Sequence, residues 1–494
     1  MTKLFPPIMS RGIDTPSRFE GEVFDLEVVE GEIPKSIDGL FVQAVPDQQF
    51  PPEDTYVSPM DASAHGDGMV RALRFRDGHV DFRSRYVRTE RFLLERAARR
   101  SLFPHYRNPF RDDPSVAGRD RTTANTAVYL HAGMLLASKE DGPAYALDPV
   151  TLDTRGPWRA GGAIDSKTWT AHPKFDPVSG EMIGFGYAAN GECTRDLAYY
   201  VVDREGRVVH RAWMEAPCAA MIHDCAATQN YTIFPIMPYS SDVERLKRGG
   251  EHFQFEPEMD QIFGVMPRYG SAGETKWFRA QPSFTGHTIN AFEQGGKICF
   301  DFVEGDGNAF GPMFPDKDGR ATEPGAVRMK LVRYVIDYNS DELRLDQSSR
   351  TVLADGHFGE GPHIDERYAM REHRFVWMPG LDRTRLATDE QGRPMPVMFN
   401  TLHRYDVKSG ESEEWFAGPE CTLQDPVFLP RSEDAPEGEG YLVCIVNRVP
   451  TRTSEIVVLD SMDLAKGPLA RIRVPVTLRS GIHAAWIPGS RLPD

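Results

Sequence analysis

The 494-residue sequence predicts an all-β protein in which small sheets are arranged as a propeller, and three observations carry that reading. Apolar residues come in short or alternating runs, the period of strands, and each run ends at Asp, Gly, Pro or Asn. A loose unit of strand, turn and strand recurs along the chain. No stretch is rich enough in Pro, Gly or Ser to act as a linker, so 1–494 reads as a single domain.

The repeating unit can be followed in order. It appears as "LRFRDGHVDFRSRYV" from Leu73, "YALDPVTLDT" from Tyr145, "FDPVSGEMIGFGY" from Phe175 and "YYVVDREGRVVHRAW" from Tyr199. It continues as "RYVIDYNSDELRLD" from Arg333, "HRYDVKSGESEEWF" from His403 and "IVVLDSMDLAKGPLARIRV" from Ile456. In each copy the polar residues after the first strand supply hairpin turn chemistry. Closing such hairpins into a ring removes long exposed edges, which favours a propeller over an open sheet. Inserts rich in Gly and Pro at 304–326 and 378–396 are expected as loops gathered on one face. "RTERFLLERAARRSLF", from Arg88, is the clearest helical candidate.

Composition narrows the partners. Hydrophobic residues at 40% and charged residues at 26% are ordinary for a soluble globular chain. A formal charge of −16 argues against a nucleic-acid backbone and against attraction to anionic membranes. No run approaches the ~18 apolar residues that span a bilayer. The start, "MTKLFPPIMSRG", lacks the apolar core of a secretory signal, so a cytoplasmic location is expected. Cys193, Cys218, Cys225, Cys299, Cys421 and Cys444 form no C-x-x-C pair and read as reduced thiols.

Among 14 histidines, four share a local grammar: His172 in "WTAHPKF", His223 in "MIHDCAA", His287 in "FTGHTINAF" and His483 in "GIHAAWIP". Each has small flanking residues and aromatic or branched residues close by. Taken singly, each is a hydrogen-bonded core histidine. Together, on different repeats, they could meet where the inner strands of a propeller converge. His79, His105, His210, His252, His373 and His403 sit among charges or turn residues and are expected at the surface or in loops. "MIHDCAATQNYTIF" reads as an inner strand headed by His223, with Asp224 pointing away and Cys225 back toward the histidine's side. Imidazole suits Fe, Zn, Cu or Ni. Carboxylates accepting the distal N–H of each ring would fix its tautomer and balance the ionic charge, and Glu140 and Glu360 are candidates.

With these motifs in hand, the sequence resembles the carotenoid cleavage oxygenase family, non-haem iron enzymes that split a conjugated C=C bond with O₂. The resemblance spans nearly the whole chain: "GEIPKSIDGLFVQAVPD", "HGDGMV" from His65, "NTAVYLHAGMLLASKEDGPAYALDPVTLDT" from Asn125, and then the four histidine contexts in order. It implies a seven-bladed β-propeller with a cap of loops and short helices over one face, enclosing an apolar tunnel. It implies one Fe(II) per chain, held by His172, His223, His287 and His483, with O₂ as co-substrate. Three family glutamates stand behind iron-bound imidazoles. Two map onto Glu140 and Glu360, and the third falls in "LQDPVFLP", on Asp425. An aspartate is one methylene shorter, so that contact is expected to be lengthened or bridged by water. "VQAVPDQQF" also departs from the Arg-Asn-Gly-Pro-Asn run common in the family.

Within the family the chain looks most like the bacterial lignostilbene dioxygenases. There, a Tyr and a Lys at the positions of Tyr106 and Lys139 hold the substrate's 4-hydroxyl. A lysine ammonium beside a phenol favours the phenolate, whose electrons can be pushed through the ring into the alkene. The branch often has a Phe where this chain has Ala64, which leaves room for a bulkier ring. The implied function is cleavage of the central C=C of a lignin-derived 4-hydroxystilbene to two aromatic aldehydes. An apocarotenoid oxygenase with the same metal site is the alternative, and a propeller used only for binding is the rival from another class. The expected partner is a small aromatic substrate, with no nucleic acid and no transmembrane segment. A homodimer is the candidate assembly.

Overall fold

Each hairpin unit joins neighbouring strands into a small antiparallel sheet. In this computed structural model, which describes residues 4–9, 12–53, 57–311, 313, 314, 316, 326–355 and 358–493, seven such sheets follow one another along the chain. Among the described residues there is also one two-stranded hairpin, Tyr239–Ser241 with Phe253–Phe255. The second blade shows the plan: Ala127–His131, Met134–Ser138, Ala144–Leu147 and Thr154–Trp158 pair in sequence order. The ring is stitched at both ends of the chain. Gly39–Pro46 of the first blade pairs with the late strand Ala484–Pro488, and Val28–Gly31 pairs with Pro468–Val474 of the last. The result is the expected seven-bladed propeller, free of a long open edge where first and last blades meet.

The core lies between blades rather than at one centre. Val42 and Val70 of the first blade pack with Val128, Leu135 and Leu147 of the second. Leu136 and Trp158 of the second then pack with Met182 and Tyr200 of the third. A middle strand such as Met182–Tyr187 is therefore buried at every position, whereas the outer strand Val208–Glu215 alternates between buried and more exposed residues. This is how strands read when both faces are covered, and when only one is.

Turn chemistry sets most hairpins. Asp77 and Gly78 take φ of 52° and 83°, the positive values a two-residue turn between twisted strands requires. "RYVIDYNSDELRLD" is not a hairpin. After Met329–Ile336 the chain crosses to the preceding blade, where Arg344 bridges Arg279, and it returns as Arg350–Asp355. Residues 378–381 of one expected loop extend the strand Phe375–Leu381, while much of 304–326 lies outside the described residues.

The expected helix spans Glu90–Ala98. Thr89 caps it by accepting from the Phe92 N–H, and Arg99 ends it at φ 54°. With the short helix Pro59–Ser63, the hairpin at 239–255 and residues 306–311, 313 and 314, it contributes to a cap. Tyr106 lies within 6.4 Å of the Phe314 ring, and Tyr239 stacks on Phe310 at 6.2 Å. No helix among the described residues is long and apolar enough to cross a membrane. All six cysteines are free.

Three histidines expected at the surface or in loops are buried. His252 Nδ1 lies 3.0 Å from the Arg107 carbonyl, His403 Nε2 2.9 Å from Thr401 Oγ1, and His373 Nδ1 3.3 Å from Asn290 Nδ2. Only His403 lies in a strand, Thr401–Asp406, where its neighbours face the other way; His252 and His373 lie in loops, as expected, but those loops fold inward.

Candidate metal centre

The four singled-out histidines meet. Their ligand atoms all lie within 4.8 Å of one another. His172 Nε2 is 3.1 Å from His223 Nε2, which is 3.0 Å from His287 Nε2, and the His483 ring centroid is 4.4 Å from that of His172. None of the four sits in an uninterrupted ladder. His172, His223 and His483 lie one to three residues before the innermost strands Lys174–Phe175, Ala226–Ala227 and Ala484–Pro488, and His287 stands where the register slips between Thr285 and Thr288. A broken ladder lets a side chain leave strand alternation and turn toward the axis. This corrects the expectation for "MIHDCAATQNYTIF". Its innermost strand is only Ala226–Ala227, the apolar run Tyr231–Ile236 is the second strand, and His223 precedes both.

Carboxylates stand behind three of the rings. His223 Nδ1 donates to Glu140, and His287 Nδ1 to Glu360 Oε2 at 2.9 Å. Asp425 Oδ2 lies 3.7 Å from His483 Nδ1, a longer contact. Among the described residues no carboxylate pairs with His172; its burial and the neighbouring imidazoles hold its pKa well below the usual range. Burial works against charge on His223 as well, but Glu140 more than offsets it and raises that ring. Two glycines make the carboxylate geometry possible. A Cβ on Gly286 would stand 2.0 Å from Glu360 Oε1, and Gly361, at φ 74°, donates its N–H to Glu360 Oε2 at 3.0 Å.

This arrangement fits a cation. A neutral imidazole has one N–H, and in His223 and His287 a carboxylate takes it at Nδ1, leaving lone pairs on Nε2 atoms 3.0 Å apart. A metal ion satisfies converging lone pairs, and hydrogen bonds among them do not. Asp224 stays out of the cluster: Lys174 Nζ is 2.8 Å from its Oδ1, and Thr288 donates N–H and O–H to its Oδ2, each at 2.9 Å.

Tyr106, Lys139 and Ala64 also come together. Lys139 Nζ lies 4.9 Å from the Tyr106 ring centroid and donates to Thr123 Oγ1 at 3.0 Å and to the Ala64 carbonyl at 3.4 Å. Burial pushes its pKa down to about 8 against the pull of Asp141, whose Oδ2 is 3.4 Å away. Lys139 and Glu140 follow the strand Met134–Ser138 and face opposite ways, Lys139 toward Tyr106 and Glu140 toward His223. Asp61 fixes Tyr106 from behind by accepting its backbone N–H at 2.7 Å.

Sequence reasoning missed two supports. Tyr187 donates to Glu140 Oε2 at 2.6 Å, and the buried Arg107 donates to the Tyr187 hydroxyl at 2.7 Å. A third, His363 Nε2, lies 2.9 Å from Asp425 Oδ1. "FGY" and "GPHID" carried no visible cue, because these partners lie 47 to 80 residues away in the chain. The Phe310 ring centroid is 6.5 Å from those of both His223 and His287.

Comparison with known proteins agrees with this geometry. Residues 14–488 match the family model described as retinal pigment epithelial membrane protein. The chain is 44% identical to isoeugenol monooxygenase of Pseudomonas putida, over 95% of this chain and 96% of that protein. It is 40% identical to lignostilbene-alpha,beta-dioxygenase isozyme III of Sphingomonas paucimobilis, over 98% and 97% of the two chains. The crystal structure of Pseudomonas brassicacearum lignostilbene dioxygenase superposes with a TM-score of 0.93 at 42% identity, covering 99% of this chain and 100% of that one. The chain belongs to the retinal pigment epithelial membrane protein family, that of the carotenoid cleavage oxygenases.

Proposed function

We propose that the chain is an Fe(II)-dependent dioxygenase that cleaves the alkene of a 4-hydroxystilbene to two aromatic aldehydes. The carrying observation is the pairing of buried Lys139 with Tyr106 at the far end of the Lys139–Glu140 dipeptide from the His223 ring. His172, His223, His287 and His483 would hold the iron, which when bound supplies the capacity to bind and activate O₂. The reaction balances without another reductant, since each oxygen atom of O₂ ends in one aldehyde.

The protein's part is positioning and charge. Glu140, Glu360 and Asp425 orient three of the imidazoles. Lys139, charged below about pH 8, lies beside the place of the phenol oxygen and favours its ionised form, whose electrons reach the conjugated alkene. Tyr106 offers its hydroxyl to the same oxygen, and the aromatic cluster of Phe310, Phe314 and Tyr239 keeps water from the alkene. The free thiols fit a reducing, cytoplasmic setting. A shorter alkenylphenol is the second reading, favoured by the likeness to an isoeugenol monooxygenase.

Lys139→Met tests the assignment. Cleavage of a 4-hydroxystilbene should fall about 100-fold or more, roughly the loss of one charge-assisted contact in a dry site, while a 4-methoxy analogue stays as slow as before. Equal loss on both substrates, or none, contradicts the role given to Lys139. The ratio of stilbene to isoeugenol turnover by the wild type separates the two readings.

A further inference from the structure

The three carboxylates behind the histidines do not reach equally far. Glu360 meets His287 Nδ1 at 2.9 Å, whereas Asp425 Oδ2 stops 3.7 Å from His483 Nδ1. A carboxylate at that distance does little to fix a ring unless something fixes the carboxylate. Two groups do. The Ala484 N–H donates to Asp425 Oδ2 at 2.8 Å, and His363 Nε2 lies 2.9 Å from Oδ1, so each oxygen is engaged.

His363 is itself firmly mounted. Its N–H donates to the Trp377 carbonyl at 2.7 Å, and its carbonyl accepts the Trp377 N–H at 2.8 Å. These main-chain bonds hang it from the strand Phe375–Leu381 whatever its side chain. Between His363 and Glu360 lies Gly361, at φ 74°, where a Cβ would stand 3.1 Å from Asp425 Oδ1. The four residues Glu360 to His363 thus serve two axial histidines from different blades: Glu360 meets His287 directly, and His363 reaches His483 through Asp425.

We infer that His363 is a positioning residue of the metal centre. It locks the shortened carboxylate of Asp425 against the Ala484 amide and thereby fixes the orientation and tautomer of His483. It does for an aspartate what the additional methylene of a glutamate does by reach alone. The inference rests on the reading of the four histidines as a metal site.

The test is metal binding rather than turnover. Anaerobic chelator competition gives the Fe(II) affinity, and the ligand-field absorption of the Co(II)-loaded protein reports the symmetry of the site. His363→Ala should weaken Fe(II) about tenfold or more, as loss of such outer partners does, and should alter the Co(II) spectrum. His363→Gln, which keeps a donor toward Asp425, should recover part of the affinity. Adding Asp425→Glu to His363→Ala should recover most of it, because the longer carboxylate reaches His483 unaided. Wild-type affinity and spectrum in His363→Ala overturn the inference, as does a loss that neither His363→Gln nor Asp425→Glu repairs. A wild-type chain that takes up no metal overturns the metal-site reading as well, so the two failures are distinct.

Discussion

The blades and the axis of this propeller follow opposite rules. In the blades, strands such as Met182–Tyr187 and Gly440–Arg448 run through long ladders without a break, and their side chains pack between neighbouring sheets. At the axis, three of the four histidines lie outside any strand and the fourth sits at a slip of register. Regularity supplies a rigid frame, and the proposed metal site sits where the frame is interrupted. Apolar burial is spread over many residues, so no single blade residue is indispensable to the axis. The axial site depends on a handful of polar contacts, each with few substitutes.

The sharpest way to break this contrast is at the axis. His223→Ala removes the ring whose Nε2 lies within 3.1 Å of two others, and it should abolish stoichiometric Fe(II) binding by metal analysis. Its apo form should still melt close to the wild-type apo protein, because no blade contact is lost. A variant that binds iron normally contradicts the assignment.

The reverse experiment belongs in a blade. Leu459, fully buried in the last blade, should cost about 2–5 kcal/mol of stability when cut to Ala, through lost burial and the cavity left behind. Denaturant unfolding measures that loss, and the Fe(II) affinity of the folded variant should equal the wild type's. A matching fall in affinity would mean that blades and axis are not separable in this way.

Lys139 stands between the two regions, and its mark on stability is a dependence on pH. Its ordinary pKa of 10.5 is pushed down to about 8 in the folded chain. Below about pH 8 both folded and unfolded chains hold the proton; between there and the ordinary value mainly the unfolded chain does, so folding gains stability as pH rises through that window. The wild type should therefore gain melting temperature relative to Lys139→Met between about pH 7.5 and about pH 10. A constant difference contradicts the burial of a charged Lys139.

The same contrast explains what could be read from the chain. Turn pairs such as Asp77–Gly78 and the capped helix at Glu90–Ala98 are local, and local chemistry announces them. The crossing at "DYNSDELRLD" was not legible, because the partner of Arg344 is Arg279 in another blade. At the axis each histidine was ambiguous alone, and only the set of four contexts in order singled them out. Arg107, Tyr187 and His363 escaped notice because each acts through a contact far away in sequence, and nothing in their flanking residues marks it.

The central claim is that the axial histidines hold an iron that cleaves a phenolic alkene. The direct measurement loads the purified chain with Fe(II) without oxygen, then admits O₂ and a 4-hydroxystilbene and follows both gas and products. The account predicts one O₂ consumed for each alkene and two aromatic aldehydes formed, with neither in the His223→Ala protein. An iron-loaded chain that yields no aldehyde from hydroxystilbene or isoeugenol, or equal yield from His223→Ala, would contradict it.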